Sequence, residues 1–517
     1  MKRIMAAALL CAMLATPAAA TEGQPKQGGV LTIRLNSDIR SLEPGVNRDT
    51  NTDNVLNHIF EGLIAYRADM SVGPALAESW TLTDDGKTYR FVLRDGVRFH
   101  NGAPLTSAEV KWSWTRLQAS PGWQCRNVFD GSQGVKVTDV EAPEPRIVIY
   151  RLEKPSGMFL KQLANIQCAV LVSHPGSVDA QGQWRTPIGT GPFKLADWKH
   201  DQYVDLERFA DYRPGPAPAS GYAGARVAHV DRVRFSIIPD DSAARAALRT
   251  NAVDVITDVP PERMAELQAA GVEVQTAAGL ARDTLLINIK DPLLANPKLR
   301  EAIAAAIDRD QIAEARTLGL AKANASAVSA SMSYFDPAFL AWPAYDPGRA
   351  AALLKEAGYR GEPIKLQTNK RYPGMDANSI LLQAMLSAVG LNVQIETLDW
   401  ATQLDHYMKG DFQLQSFTYS GRFDPALTYA TFLADRAKFK WAQWDDPHAL
   451  ELLREAMETA DDARRKQLFL DLHGLLRTQI PTIGLFYEPA VDAVTKHVHG
   501  YRVWAPDRPI AWGVWKD

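Results

Sequence analysis

A mixed α/β protein built from two or three domains is the fold class this sequence predicts. Three observations carry it. The chain has 517 residues, too many for one ordinary hydrophobic core. Strand-like and helix-like stretches alternate along it, most regularly after residue 187. No repeat of roughly 20–50 residues and no low-complexity linker divides it, so any lobes would be joined by ordered crossing strands.

Taken in order, residues 29–36 (GVLTIRLN) read as a buried first strand, followed by a loop through Ser37, Asp38 and Pro44. Residues 80–99 read as a hairpin. Trp80 and Leu82 alternate with polar residues, Asp85-Gly86 makes the turn, and Tyr89, Phe91 and Leu93 return on one face. Thr106 with Glu109 forms a capping box ahead of Val110, Trp114 and Leu117 at helical spacing. Residues 230–238 are a strand, a helix begins behind Asp241, and residues 253–256 form a second short strand. Pro260-Pro261 opens a helix that ends at Gly271, Asn296-Pro297 opens one carrying Leu299, Ile303 and Ile307, and Asp346-Pro347 opens one that ends at Gly358. Residues 390–398 (GLNVQIETL) are a strand.

The first twenty residues read as an export signal. Lys2 and Arg3 precede an apolar run too short to span a bilayer, and Ala18-Ala19-Ala20 offers a cleavage site. Cys11 follows the bulky Leu10, which argues against lipid attachment. The expected mature protein is exported to the periplasm and starts near Thr21. Without Lys2 and Arg3 it carries 55 basic against 60 acidic residues. Scattered, mildly acidic charge gives no footprint for nucleic acid or an anionic membrane. The two remaining cysteines, Cys125 and Cys168, either form one disulfide in that oxidising compartment or stay as two buried thiols.

Catalytic signatures are missing. The chain has no G-x-x-x-x-G-K-[ST] loop, G-x-S-x-G elbow, H-E-x-x-H helix or EF-hand loop. The GTG of residues 189–191 runs into Pro192 and a strand, which is not a dinucleotide fingerprint. His497 and His499 alternate as on a strand, and no cofactor is expected.

Several blocks, in order, resemble the bacterial extracellular solute-binding proteins of family 5, the peptide and nickel cluster of ABC importers. They are residues 28–45 (GGVLTIRLNSDIRSLEPG), 73–117 (GPALAESWTLTDDGKTYRFVLRDGVRFHNGAPLTSAEVKWSWTRL), 187–198 (PIGTGPFKLADW), 211–215 (DYRPG), 232–261 (RVRFSIIPDDSAARAALRTNAVDVITDVPP) and 285–312 (LLINIKDPLLANPKLREAIAAAIDRDQI). The resemblance runs from about residue 28 to the C-terminus.

It implies a periplasmic-binding-protein-like, two-lobed clamp (type II, cluster C) with an extra subdomain in lobe I. Lobe I would comprise residues 21–282 with 487–517, the extra subdomain 52–187, and lobe II 283–486. The implied function is capture of a peptide, opine-like or other amino-acid conjugate by hinge closure. The expected partner is an ABC permease complex at the inner membrane, and the protein is expected to be monomeric. A secreted peptidase or amidase using a carboxylate pair, and a nickel or metallophore carrier of the same fold, are the alternatives.

Trp80, Phe99, Trp112, Trp114 and the GTGPF run are read as core and turn chemistry. Ligand contacts are implied at Ser37, Asp38 and Leu42 after the first strand, at Trp400, and in the loop SFTYSGRFDP, where Tyr419 would form an aromatic wall. Dipeptide- and oligopeptide-binding members place an ammonium-binding aspartate in that loop. Here the position falls on Gly421 or Arg422. Arg422 is therefore expected to face an anionic ligand group, with Asp424 contacting a ligand amine or orienting the arginine.

Overall fold

The computed structural model describes residues 24–517 except 84, 124, 133 and 169. The export signal and Cys11 lie outside the described residues. Among the described residues no helix is long and apolar enough to cross a membrane.

Ten strands form one continuous sheet. Its order is Phe193–Lys199, Tyr203–Arg208, Arg232–Ile237, Val30–Leu35, Val255–Ile256, Thr482–Val494, Glu273–Ile287, Leu414–Tyr419, Ile364–Asn369 and Val393–Leu398. The long antiparallel strands Glu273–Ile287 and Thr482–Val494 tie the two halves together. Their register breaks between Ala278 and Arg282. At Gly279 the backbones come so close that a Cβ would stand 2.1 Å from Glu488 O. Only glycine fits there.

A second sheet, ordered Ala77–Leu82, Thr88–Leu93, Ile147–Leu152 and Val137–Glu144, builds a separate layer. The hairpin turns where expected: Gly86 donates to Thr83 O at 2.9 Å with φ +67°. Tyr89, Phe91 and Leu93 are buried, whereas Leu82 is 37% exposed. The helix Ser107–Ala119 starts at the Thr106–Glu109 capping box and buries Val110, Trp114 and Leu117. Trp114 meets Tyr150 edge-on at 5.3 Å. Cys125 and Cys168 are bonded, with Cα atoms 5.5 Å apart.

The GTG run is close-approach chemistry. A Cβ at Gly189 would lie 2.0 Å from Ile59 O, and one at Gly191 2.4 Å from His58 O. Proline and aspartate set the helix starts, with small shifts from expectation. Asp240, rather than Asp241, caps Asp241–Arg249. After Pro260 a 3-10 turn, Pro261–Arg263, precedes the helix Met264–Ala269. Asn296 and Asp346 cap their helices as read.

Candidate functional site

Strand direction places two carboxyl edges opposite one another. Val30–Leu35 runs parallel to Arg232–Ile237 and Val255–Ile256, and Ile364–Asn369 runs parallel to Val393–Leu398 and Leu414–Tyr419. Because Thr482–Val494 is antiparallel to Val255–Ile256 and Glu273–Ile287 is antiparallel to Leu414–Tyr419, the two parallel sets point at each other. Ile33, Val255, Val494 and Glu273 are level, and so are Tyr419, Arg282 and Tyr487. The edges therefore stand roughly 20 Å apart along the crossing strands at about 3.3 Å per residue. Carboxyl edges of open α/β sheets are where ligands bind.

On the first edge, Ser37 is held by Asn51, whose Nδ2 donates to its carbonyl at 2.9 Å. Asp38 serves the loop itself. Its carboxylate accepts from Ile39 N (2.8 Å), Trp198 Nε1 (3.0 Å) and Asp201 N (3.1 Å). Burial pushes its proton affinity up, but those donors together bring it below the usual carboxylate value. Leu42 packs half-buried against the core around Leu31 and Ile33.

On the second edge the residues after the strands are Lys370 to Tyr372, Asp399 to Trp400 and Ser420 to Arg422. Trp400 starts the helix Trp400–Lys409 behind the cap Asp399. It meets the exposed Tyr372 edge-on at 4.9 Å and leans on Phe417 at 5.7 Å. Tyr419 is buried against Phe417 and Tyr407, so its ring is an interior wall of that cluster. Arg422 is half-buried. Nη1 donates to Ser420 Oγ at 2.8 Å and Ser420 O at 3.0 Å. Burial lowers the guanidinium's proton affinity, and the Tyr419 and Tyr407 phenols oppose that shift. Among the described residues no carboxylate forms an ion pair with it.

Asp424 sits apart from Arg422. It caps the helix Pro425–Tyr429 and pairs with the fully buried Arg465 at 2.8 and 2.9 Å. The structure thus brings Trp400, Tyr419 and Arg422 to one edge and commits Asp38 and Asp424 to internal bonds. Tyr372 went unread in the sequence. The signal available was the aromatic before Pro373 at a helix start. Among the described residues no group of His, Cys, Asp and Glu is arranged to hold a metal ion.

Residues 71–440 match the family described as bacterial extracellular solute-binding proteins, family 5 Middle. The chain belongs to this family. As a family 5 solute-binding protein it is a binding protein and not an enzyme, which sets aside the peptidase reading. It is 26% identical to the glutathione-binding protein GsiB of Escherichia coli strain K12 over 488 residues, 91% of each chain. HbpA2 from Haemophilus parasuis superposes with a TM-score of 0.82 at 23% identity, over 95% of this chain and 100% of that one. The periplasmic murein tripeptide binding protein MppA, in its unliganded open form, gives 0.81 at 19% identity, over 95% and 98%. These likenesses establish the cluster C periplasmic-binding-protein fold.

Proposed function

We propose that this family 5 protein is the periplasmic capture component of an ABC importer for a peptide-like ligand with at least one acidic group. The ligand class includes short peptides, glutathione-like compounds and opine-like amino-acid conjugates. The carrying observation is Arg422: a half-buried guanidinium that has no carboxylate partner among the described residues, on the same carboxyl edge as the aromatic pair Tyr372 and Trp400 and near the Tyr419 and Tyr407 phenols. Such a fork suits a ligand carboxylate. The relatives named for glutathione and murein tripeptide support the ligand class.

In this reading the export signal is cleaved near Ala20. Lobe I is residues 21–282 with 487–517, including the extra subdomain 52–187, and lobe II is residues 283–486. They bend about the register break at Ala278–Arg282, and the closed clamp docks as a monomer on the inner-membrane permease. Closure requires that ligand bind the closed form better than the open one.

Native mass spectrometry of protein purified from its own periplasm identifies the ligand. Calorimetry should then show Arg422→Ala losing about 1.5–3 kcal/mol of affinity, the range for a charged hydrogen bond. A ligand without an acidic group, or unchanged affinity in the variant, would sink the reading. Small-angle scattering should show the radius of gyration fall on saturation; an unchanged radius would count against a closing clamp.

A further inference from the structure

Between the two edges, the crossing strands carry a charged group that the sequence reading did not use. Glu488 lies where Thr482–Val494 loses register with its partner, between Tyr487, level with Arg282, and Pro489, level with Ala278. Among the described residues its carboxyl makes no hydrogen bond and no ion pair. Its neighbour across a small gap is Arg316, on the helix Arg309–Thr317. Both flank Gly374, in the first turn of the helix Pro373–Ala388 that follows the strand Ile364–Asn369. A Cβ placed on Gly374 would stand 2.8 Å from Arg316 Nη2 and 3.6 Å from Glu488 Oε1. The two groups are therefore no further apart than those distances combined, yet they do not pair.

The arginine is held, and its outer nitrogens are left over. Arg316 Nε donates to Asn378 Oδ1 at 3.0 Å, and Asn378 Nδ2 donates to the buried Asp283 at 3.1 Å. Thr418 Oγ1 donates to the other oxygen of Asp283. This relay fixes Nε and leaves Nη1 and Nη2 without protein acceptors among the described residues. Gly374, lacking a side chain, keeps the space between guanidinium and carboxyl open. A guanidinium and a carboxyl held apart in a partly desolvated gap leave hydrogen-bonding capacity unmet unless a ligand bridges them.

We propose that Arg316 and Glu488 form a second polar subsite of the cleft, which takes a free α-amino-acid head: ammonium on Glu488, carboxylate on Arg316. A head with both groups on one carbon spans such a gap with one hydrogen bond of about 2.8 Å at each end. An α-linked peptide, whose first α-carboxyl is tied up in the peptide bond, has no such head. Combined with an acidic group at Arg422, this selects γ-glutamyl-type conjugates over ordinary peptides. The inference rests on the peptide-like reading of the cleft and specifies its ligand.

Burial, with Asp283 and Asp258 adding negative potential and Arg316 opposing them, pushes the Glu488 carboxyl up to about 8. An ammonium must therefore displace a proton at neutral pH. The binding-competent, ionised fraction then grows as pH rises, so affinity should rise on the order of tenfold between pH 6.5 and 8.

The test is calorimetry with glutathione and with its α-linked isomer α-Glu-Cys-Gly, on the wild type, Glu488→Gln and Arg422→Ala. The wild type should bind glutathione at least tenfold more tightly than the isomer and gain affinity with pH. Glu488→Gln should lose both the preference and the pH dependence, while Arg422→Ala should weaken both ligands. If Glu488→Gln fails to fold, Arg316→Ala takes its place, with loss of the preference expected. Equal binding of the two isomers, or a Glu488→Gln protein that keeps the preference, overturns this subsite and leaves the peptide-like reading standing. A wild type that binds neither compound also overturns this subsite, whereas the peptide-like reading stands or falls with the ligand that native mass spectrometry identifies.

Discussion

Replacing Arg465 with alanine should destabilise the protein by about 3–5 kcal/mol, the cost of leaving a buried charge without its partner. Arg465 and Asp424 are both fully buried, at 0% and 1% side-chain exposure. The guanidinium also donates from Nε to Ala456 O at 2.8 Å, and from Nη1 to Tyr334, and lies over the Phe469 ring at 5.3 Å. Methionine would fill part of the space but not answer the carboxylate. The junction extends across the molecule: Met158 Sδ lies 3.2 Å from Nη2, Phe423 stacks on Tyr66 at 5.4 Å, and Gly157 N donates to Met457 O at 2.9 Å. Because Asp424 also anchors the loop that carries Arg422, ligand affinity should fall along with stability. Urea denaturation of Arg465→Ala checks the first expectation. A midpoint equal to wild type would show that the pair contributes nothing. Asp424→Leu combined with Arg465→Met should recover part of the loss, since it leaves no orphan charge.

Opening the disulfide should cost a similar amount. Cys125 and Cys168 are 43 residues apart and close a loop that holds two strands of the four-stranded sheet, Val137–Glu144 and Ile147–Leu152. The chain-entropy relation gives about 4 kcal/mol for a loop of that length, or roughly 10 °C in the melting of a unit this size. Cys125→Ser with Cys168→Ser, compared with the wild type in oxidising and reducing buffer, measures it. Two free thiols in the unreduced, unfolded protein, or identical melting in both buffers, would rule the staple out.

Local chemistry is what the sequence determined. The capping box at Thr106–Glu109, the proline-led helix starts, the Gly86 turn and the buried alternation of Tyr89, Phe91 and Leu93 each follow from residues a few positions apart. At that range backbone sterics and short hydrogen bonds decide the outcome. Ordered blocks over most of the chain added the family, because they reflect a whole arrangement of elements rather than one of them.

Only the tertiary structure decided what each charged side chain faces. Nothing within reach of Asp424 in the sequence announces Arg465, 41 residues away, as its partner. Asp38, expected toward ligand, is spent on Trp198 and Asp201, some 160 residues on. Arg316, Gly374 and Glu488 come from three distant segments and meet where the crossing strands lose register between the two edges. A charged residue's role is set by its partners and its access to water. Both are properties of the packed chain, which is why the fold and the candidate Arg422 were legible in the residues and the partners of Asp38, Asp424 and Glu488 were not.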